Sequence, residues 1–104
     1  MDKVENQSYL KKLIEFFPTA VYTGSMLVFI SDKWNVEVLE HTEKIYSSPG
    51  KSISTIRVNV YKTMQDSTQV LVHSTDFTLT NCRELAAQIE KYIQNAIDVL
   101  IKEK

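Results

Sequence analysis

The side chains best suited to covalent or metal chemistry in this chain are Cys82, His41 and His73. Cys82 follows Asn81 at the start of an amphipathic segment. A thiol in the first turn of a helix feels the helix dipole, which favours the thiolate and its use as a nucleophile. That use also requires a positioned base, and nothing in the sequence fixes a histidine beside it. Cys82 shares an apolar stripe with Leu85 and Ala86, where cysteine behaves as a small hydrophobe, so a buried structural role is expected. His41 lies in Glu40-His41-Thr42-Glu43. On a strand, Glu43 shares its face and Glu40 points away. One carboxylate and one imidazole do not make a transition-metal site, so a solvated, mixed-charge strand face is expected there. His73 reads as an ordinary sheet-surface histidine. Its expected cross-strand neighbour, Arg57, would favour the neutral imidazole.

A second group of residues is suited to binding. Arg57, Tyr61 and His73 fall on one expected sheet face, where they could stack on and pair with single-stranded bases. Trp34 is the single tryptophan and follows a tight turn, so it could anchor a partner protein. It also shares strand parity with Val36 and Val38, which favours a core position at one end of the sheet. Other templates are missing from the sequence. The two glycines, Gly24 and Gly50, stand apart, whereas a phosphate-cradling loop needs several together. There is no G-x-S-x-G, H-E-x-x-H or C-x-x-C. The expectation is a protein that is not an enzyme and needs no metal or other cofactor.

The elements that must position these residues follow from periodicity. A chain of 104 residues with 43% hydrophobic content reads as one α+β domain, residues 1–104, with a modest core. From Asn81 to about Leu100, the residues Cys82, Leu85, Ala86, Ile89, Ile93, Ala96, Ile97 and Leu100 recur at helical spacing. Arg83, Glu84, Glu90, Lys91 and Gln94 occupy the other side. Asn81 with Glu84 forms a capping-box pattern that sets the start. A shorter helix is expected over residues 3–17, from Leu10, Leu13, Ile14 and Phe17, with Pro18 ending it. Which surface this first helix covers is left open by the pattern.

Between the helices the pattern predicts a four-stranded antiparallel meander, with the long C-terminal amphipathic helix packed on one face. The first strand spans residues 21–30, with Gly24 marking a turn or bulge inside it. After a turn at Ser31-Asp32-Lys33, the second runs from Trp34 to Tyr46. The apolar parity changes between Val38 and Leu39, which predicts a bulge there. Ser47-Ser48-Pro49-Gly50 signals a turn. The third strand, residues 52–62, presents Ile56, Val58 and Val60 to the core. A short loop at Met64-Gln65-Asp66 leads to the fourth, residues 68–79. With a three-residue loop, Val70 and Val72 would oppose Val60 and Val58. The second face would then carry Thr55, Arg57, Asn59, Tyr61, Gln69, Leu71, His73 and Thr75.

Charge limits the choice of partners. Twelve basic and thirteen acidic residues leave a net charge of −1, and Arg57 and Arg83 are the two arginines. This argues against coating nucleic acid or an anionic membrane. The single cysteine fits a reducing compartment, and the apolar run Met26 to Ile30 is too short to span a bilayer. A soluble, cytoplasmic protein without membrane attachment is the expectation. In element order, four antiparallel strands followed by a long helix, the chain resembles the small PC4-type domains that bind single strands as dimers. The stretch Phe77-Thr78-Leu79-Thr80-Asn81-Cys82-Arg83-Glu84-Leu85 carries the strand-into-capped-helix join found there. The resemblance implies a single-stranded nucleic-acid-binding alternative, without basic, aromatic-rich strands to match. The leading expectation is a small protein-interaction module, acting through a sheet face or edge on a protein partner or as a homodimer. Adaptors, inhibitors and regulators of this size are frequent among phage, mobile-element and bacterial accessory proteins.

Overall fold

A computed structural model of the chain describes residues 10–44, 47 and 50–102. The first helix, α1, is seen from residue 10 to 13 and tightens into a 3-10 turn at Ile14–Phe16. Phe17 leaves helical geometry immediately before Pro18, as the steric rule for pre-proline residues requires. Five strands follow: β1 (Val21–Tyr22), β2 (Met26–Ile30), β3 (Trp34–Lys44), β4 (Ser52–Thr63) and β5 (Gln69–Thr78). They form one antiparallel sheet in the order β1-β2-β3-β4-β5. The last element is α2, Cys82–Lys102.

The sheet therefore has five strands where periodicity predicts four. Gly24 is the reason. It adopts φ 103°, a left-handed conformation that glycine reaches without strain, and it turns the chain between β1 and β2. Thr23 closes this turn, its N–H donating to the Met26 carbonyl at 2.9 Å. The expected bulge between Val38 and Leu39 is absent. β3 pairs with β2 and with β4 in unbroken register through both residues. Leu39 is simply an apolar residue on the second face, opposite Met26 and Arg57. The expected turn over Ser47–Gly50, the end of the second strand at Ile45 and Tyr46, and the start of the first helix lie wholly or partly outside the described residues.

A larger correction concerns β4 and β5. Five residues, 64–68, connect them rather than three. Asp66 stabilises the longer loop, accepting from the Thr68 N–H at 3.0 Å and from its hydroxyl, while Ser67 takes φ 70°. The register then shifts again between Val60 and Tyr61, leaving Val72 as an extra residue in β5. Val60 consequently faces His73, Val58 faces Thr75, and Arg57 faces Asp76 rather than His73.

The core lies on one side of the sheet. Leu27, Phe29, Val36, Val38, Ile56, Val58 and Val60 project from β2, β3 and β4, and all are buried. Leu85, Ala86, Ile89, Ile93 and Ala96 meet them from α2, and Leu10, Leu13 and Phe17 from the first helical segment. Both helices thus share one face. Two edge-to-face ring pairs tie the layers together, Phe17 with Phe29 at 5.4 Å and Phe77 with Tyr92 at 5.8 Å. Asn81 caps α2, its Oδ1 accepting from the Glu84 N–H at 2.9 Å. Ile89 sits fully enclosed in this layer. Ile89→Ala should lower unfolding stability by about 2–5 kcal/mol in a urea titration. An unchanged midpoint would show that α2 does not seat its stripe on the sheet.

Candidate functional site

With both helices on one side, the other sheet face is the surface left for function. Among the described residues, neither helix contributes to it. Paired residues share a face in an antiparallel sheet, so the register maps the open face row by row. One row reads Ile30, Asn35, Tyr61, Leu71. The next reads Val21, Val28, Glu37, Asn59, Ser74. Then come Met26, Leu39, Arg57 and Asp76, followed by His41, Thr55 and Thr78. On this face Ile30 is 76% exposed, Val21 58% and Leu71 51%, while Asn35 is buried at 8%; on the other side Leu27 and Val38 are at 0%.

The open face is divided. Its β1–β2 side is apolar, with Val21, Met26, Val28 and Ile30, and Leu39 continues the patch onto β3. Its β4–β5 side is mainly polar and internally bonded, with Leu71 and Ile53 as exposed apolar residues. Arg57 forks onto Asp76, with Nε to Oδ1 at 2.7 Å and Nη2 to Oδ2 at 3.0 Å. Tyr61 donates its hydroxyl to Glu37 Oε1 at 3.1 Å, and Ser74 donates to Asn59 Oδ1 at 2.6 Å. The Arg57 hydrogen bonds hold the Asp76 carboxyl below its ordinary value, and the charges of Arg57 and His41 add to that lowering against the opposing effect of burial. Burial and the bond to Glu37 raise the Tyr61 phenol. On the helix-covered side, burial alone raises the Glu40 carboxyl.

Of the residues singled out in the sequence, Arg57 and Tyr61 do share the open face. His73 does not. The longer loop and the extra Val72 move it opposite the buried Val60, onto the helix-covered side, so Arg57, Tyr61 and His73 do not form one surface. Trp34 packs partly buried against the core, opposite Lys62. Cys82 opens α2 and also lies half-buried against the core. Glu37 and Asp76 complete the polar network, and neither is evident without the register. The bulge expected between Val38 and Leu39 would have separated Glu37 from Leu39 and His41, and the unbroken register keeps all three on the open face.

Among the described residues no group of His, Cys, Asp and Glu side chains is arranged to hold a metal. No described helix is long and apolar enough to cross a membrane. A cleft of about 280 Å³ does lie between the end of α1 and α2, lined by Phe16, Phe17, Phe29 and Ile93 with Glu90 at its edge. Comparison with known proteins finds no matching family, no matching curated protein and no matching solved structure.

Two outcomes follow from this geometry. Asp76 is more acidic in the fold than in the unfolded chain, so its contribution is present above the unfolded pKa of about 3.9 and is lost as pH falls through the folded value. Asp76→Asn should therefore cost about 0.5–1 kcal/mol at pH 7 for this half-exposed pair. The gap to the parent protein should narrow in melts as pH falls below the unfolded value and through the lower folded one. A gap that persists there would mean the pair is not what Asp76 contributes. Separately, a thiol-reactive probe should label Cys82 slowly in the folded protein and much faster in denaturant. Rapid stoichiometric labelling near neutral pH would point to an activated thiolate instead.

Proposed function

We propose that this protein is a non-enzymatic interaction module that docks another protein chain on its open sheet face. The observation that carries this reading is the face itself. It presents a contiguous apolar patch of Val21, Met26, Val28, Ile30 and Leu39 beside a set of polar groups already bonded to one another. Apolar surface of this kind is stabilised by removal from water, which makes it a docking surface. The hydrogen-bonded polar half can be covered by a partner at less cost, because most of its groups keep their bonds.

The sheet edges support the face over the edge as the contact. β1 is two residues long, and β5 carries the extra Val72 that interrupts regular pairing. Short and bulged edge strands resist strand addition. The same network weighs against single-stranded nucleic acid. Arg57 is committed by two hydrogen bonds to Asp76, and a phosphate would have to compete with that carboxylate. His73 lies on the other side of the sheet from Tyr61, so the stacking group expected from the sequence is divided.

Two measurements separate these readings. In a fluorescence titration at about 150 mM salt, mixed-sequence oligonucleotides should show no saturation below about 100 µM. Protein capture, of a second copy or of another chain, should be lost in Leu39→Glu and kept in Glu90→Lys on the polar side of α2. Submicromolar oligonucleotide affinity that disappears in Arg57→Ala would overturn the protein-docking reading, as would capture indifferent to Leu39→Glu.

A further inference from the structure

We infer that the cleft between the end of α1 and α2 binds a small free amine, a primary ammonium carried on an apolar stem. The cleft lies on the helix-covered side of the sheet, so this site stands independently of the docking reading above.

The cleft follows from the way α1 ends. Pro18 stops the helix, and the chain turns through Thr19 toward β1, both residues lining the opening. Two backbone hydrogen bonds brace this turn, from the Phe17 N–H to the Ile14 carbonyl and from the Ala20 N–H to the Phe17 carbonyl, each at 3.0 Å. The rim is thus held by the fold itself, which lowers the cost of ordering it around a ligand. The opening measures about 280 Å³. At ~30 Å³ per water it has room for roughly nine waters, the scale of a small ligand rather than a drug-sized one.

One part of the lining is apolar. Phe17, Phe29 and Ile93 are buried and form its floor, with the two rings set edge to face at 5.4 Å. Phe16 is 39% exposed and supplies an accessible ring at the side. An apolar stem gains by leaving water against these groups, and an accessible ring also attracts a cation.

The α2 wall is polar and suited to a cation. Glu90 and Gln94 line it one helical turn apart. Gln94 donates its side-chain N–H to Asp98 Oδ1 at 3.2 Å. Its amide end is therefore turned along the helix, and its carbonyl oxygen keeps both lone pairs for a ligand. The Glu90 carboxylate takes part in no ion pair among the described residues. No lysine, arginine or histidine is among the described residues that line the cleft. A primary ammonium brings one positive charge and three N–H donors to these acceptors. A quaternary ammonium has no N–H to give them, and an anion would meet Glu90 as a like charge.

The experiment is a titration of the full chain with phenethylamine near neutral pH, read in two-dimensional amide NMR spectra. The expected result is saturable shifts grouped at Phe16, Phe29, Glu90, Ile93 and Gln94, with a Kd of about 1–10 mM. Phenethyl alcohol keeps the stem without the charge and should bind about tenfold more weakly, and phenylacetate should not saturate. Glu90→Gln should raise the amine Kd about tenfold and remove the preference for amine over alcohol, with the circular dichroism of the native fold retained. Phe16→Ala should weaken amine and alcohol alike. Equal affinity of the native protein for amine and alcohol overturns the proposal. So does amine binding unchanged in Glu90→Gln, or shifts that scatter over the surface or centre on the open face. Acetyl-glycyl-lysyl-glycine amide binding the same residues more tightly than phenethylamine would overturn the free amine as occupant and assign the cleft to a lysine of a partner chain.

Discussion

The structure depends on the fit between one sheet face and one helix stripe. Val58 at the centre of β4 and Ile89 at the centre of α2 are both fully enclosed, and each lacks cover without the other layer. A 21-residue amphipathic helix gains little from its own hydrogen bonds in water. The strands likewise need a partner layer. Burial of the shared apolar surface stabilises both at once. The short first helix joins the same layer through Leu13 and Phe17 and so enlarges the core without covering anything new. All the helical cover among the described residues is therefore spent on one side. The second face is left without helical cover among the described residues as a direct consequence of that distribution.

Much of this layering is legible in the sequence. The α+β class, the long helix with its capping box, and the core residues Ile56, Val58, Val60, Leu85, Ile89, Ile93 and Ala96 follow from spacing alone. They follow because burial acts on every third or fourth residue of a helix and every second residue of a strand. Gly24 signals an interruption, but its residue type does not distinguish a bulge from a full turn. Only pairing between β1 and β2 makes it a turn and adds the fifth strand.

The composition of the open face is less legible, because it depends on register. A strand's own alternation says which residues share a side. It does not say which side, nor which residue sits opposite on the next strand. Two small backbone events settle this for β5. Asp66 and Ser67 lengthen the hairpin loop, and Val72 is accommodated as an extra residue. Neither leaves a hydrophobic signature, since polar loop residues and valines are compatible with several registers. Their combined effect exchanges His73 for Asp76 as the partner of Arg57. The expected cluster of Arg57, Tyr61 and His73 is replaced by a closed Arg57–Asp76 ion pair.

That exchange also explains why a net charge near zero suits this face. An arginine free to swing would favour any anion within reach and would be costly to cover. An arginine forked onto Asp76 loses little when solvent is excluded, because its strongest hydrogen bonds lie within its own chain. The Tyr61–Glu37 and Ser74–Asn59 bonds work in the same way, fixing side chains that would otherwise have to be ordered on contact. The polar half of the face is thereby prepared for contact, while the Val28 and Leu39 side supplies the apolar surface that gains by leaving water. In the docking reading proposed for this face, pre-ordering of one half and apolar gain in the other are complementary, and the pre-ordered half descends from the register that β4 and β5 adopt.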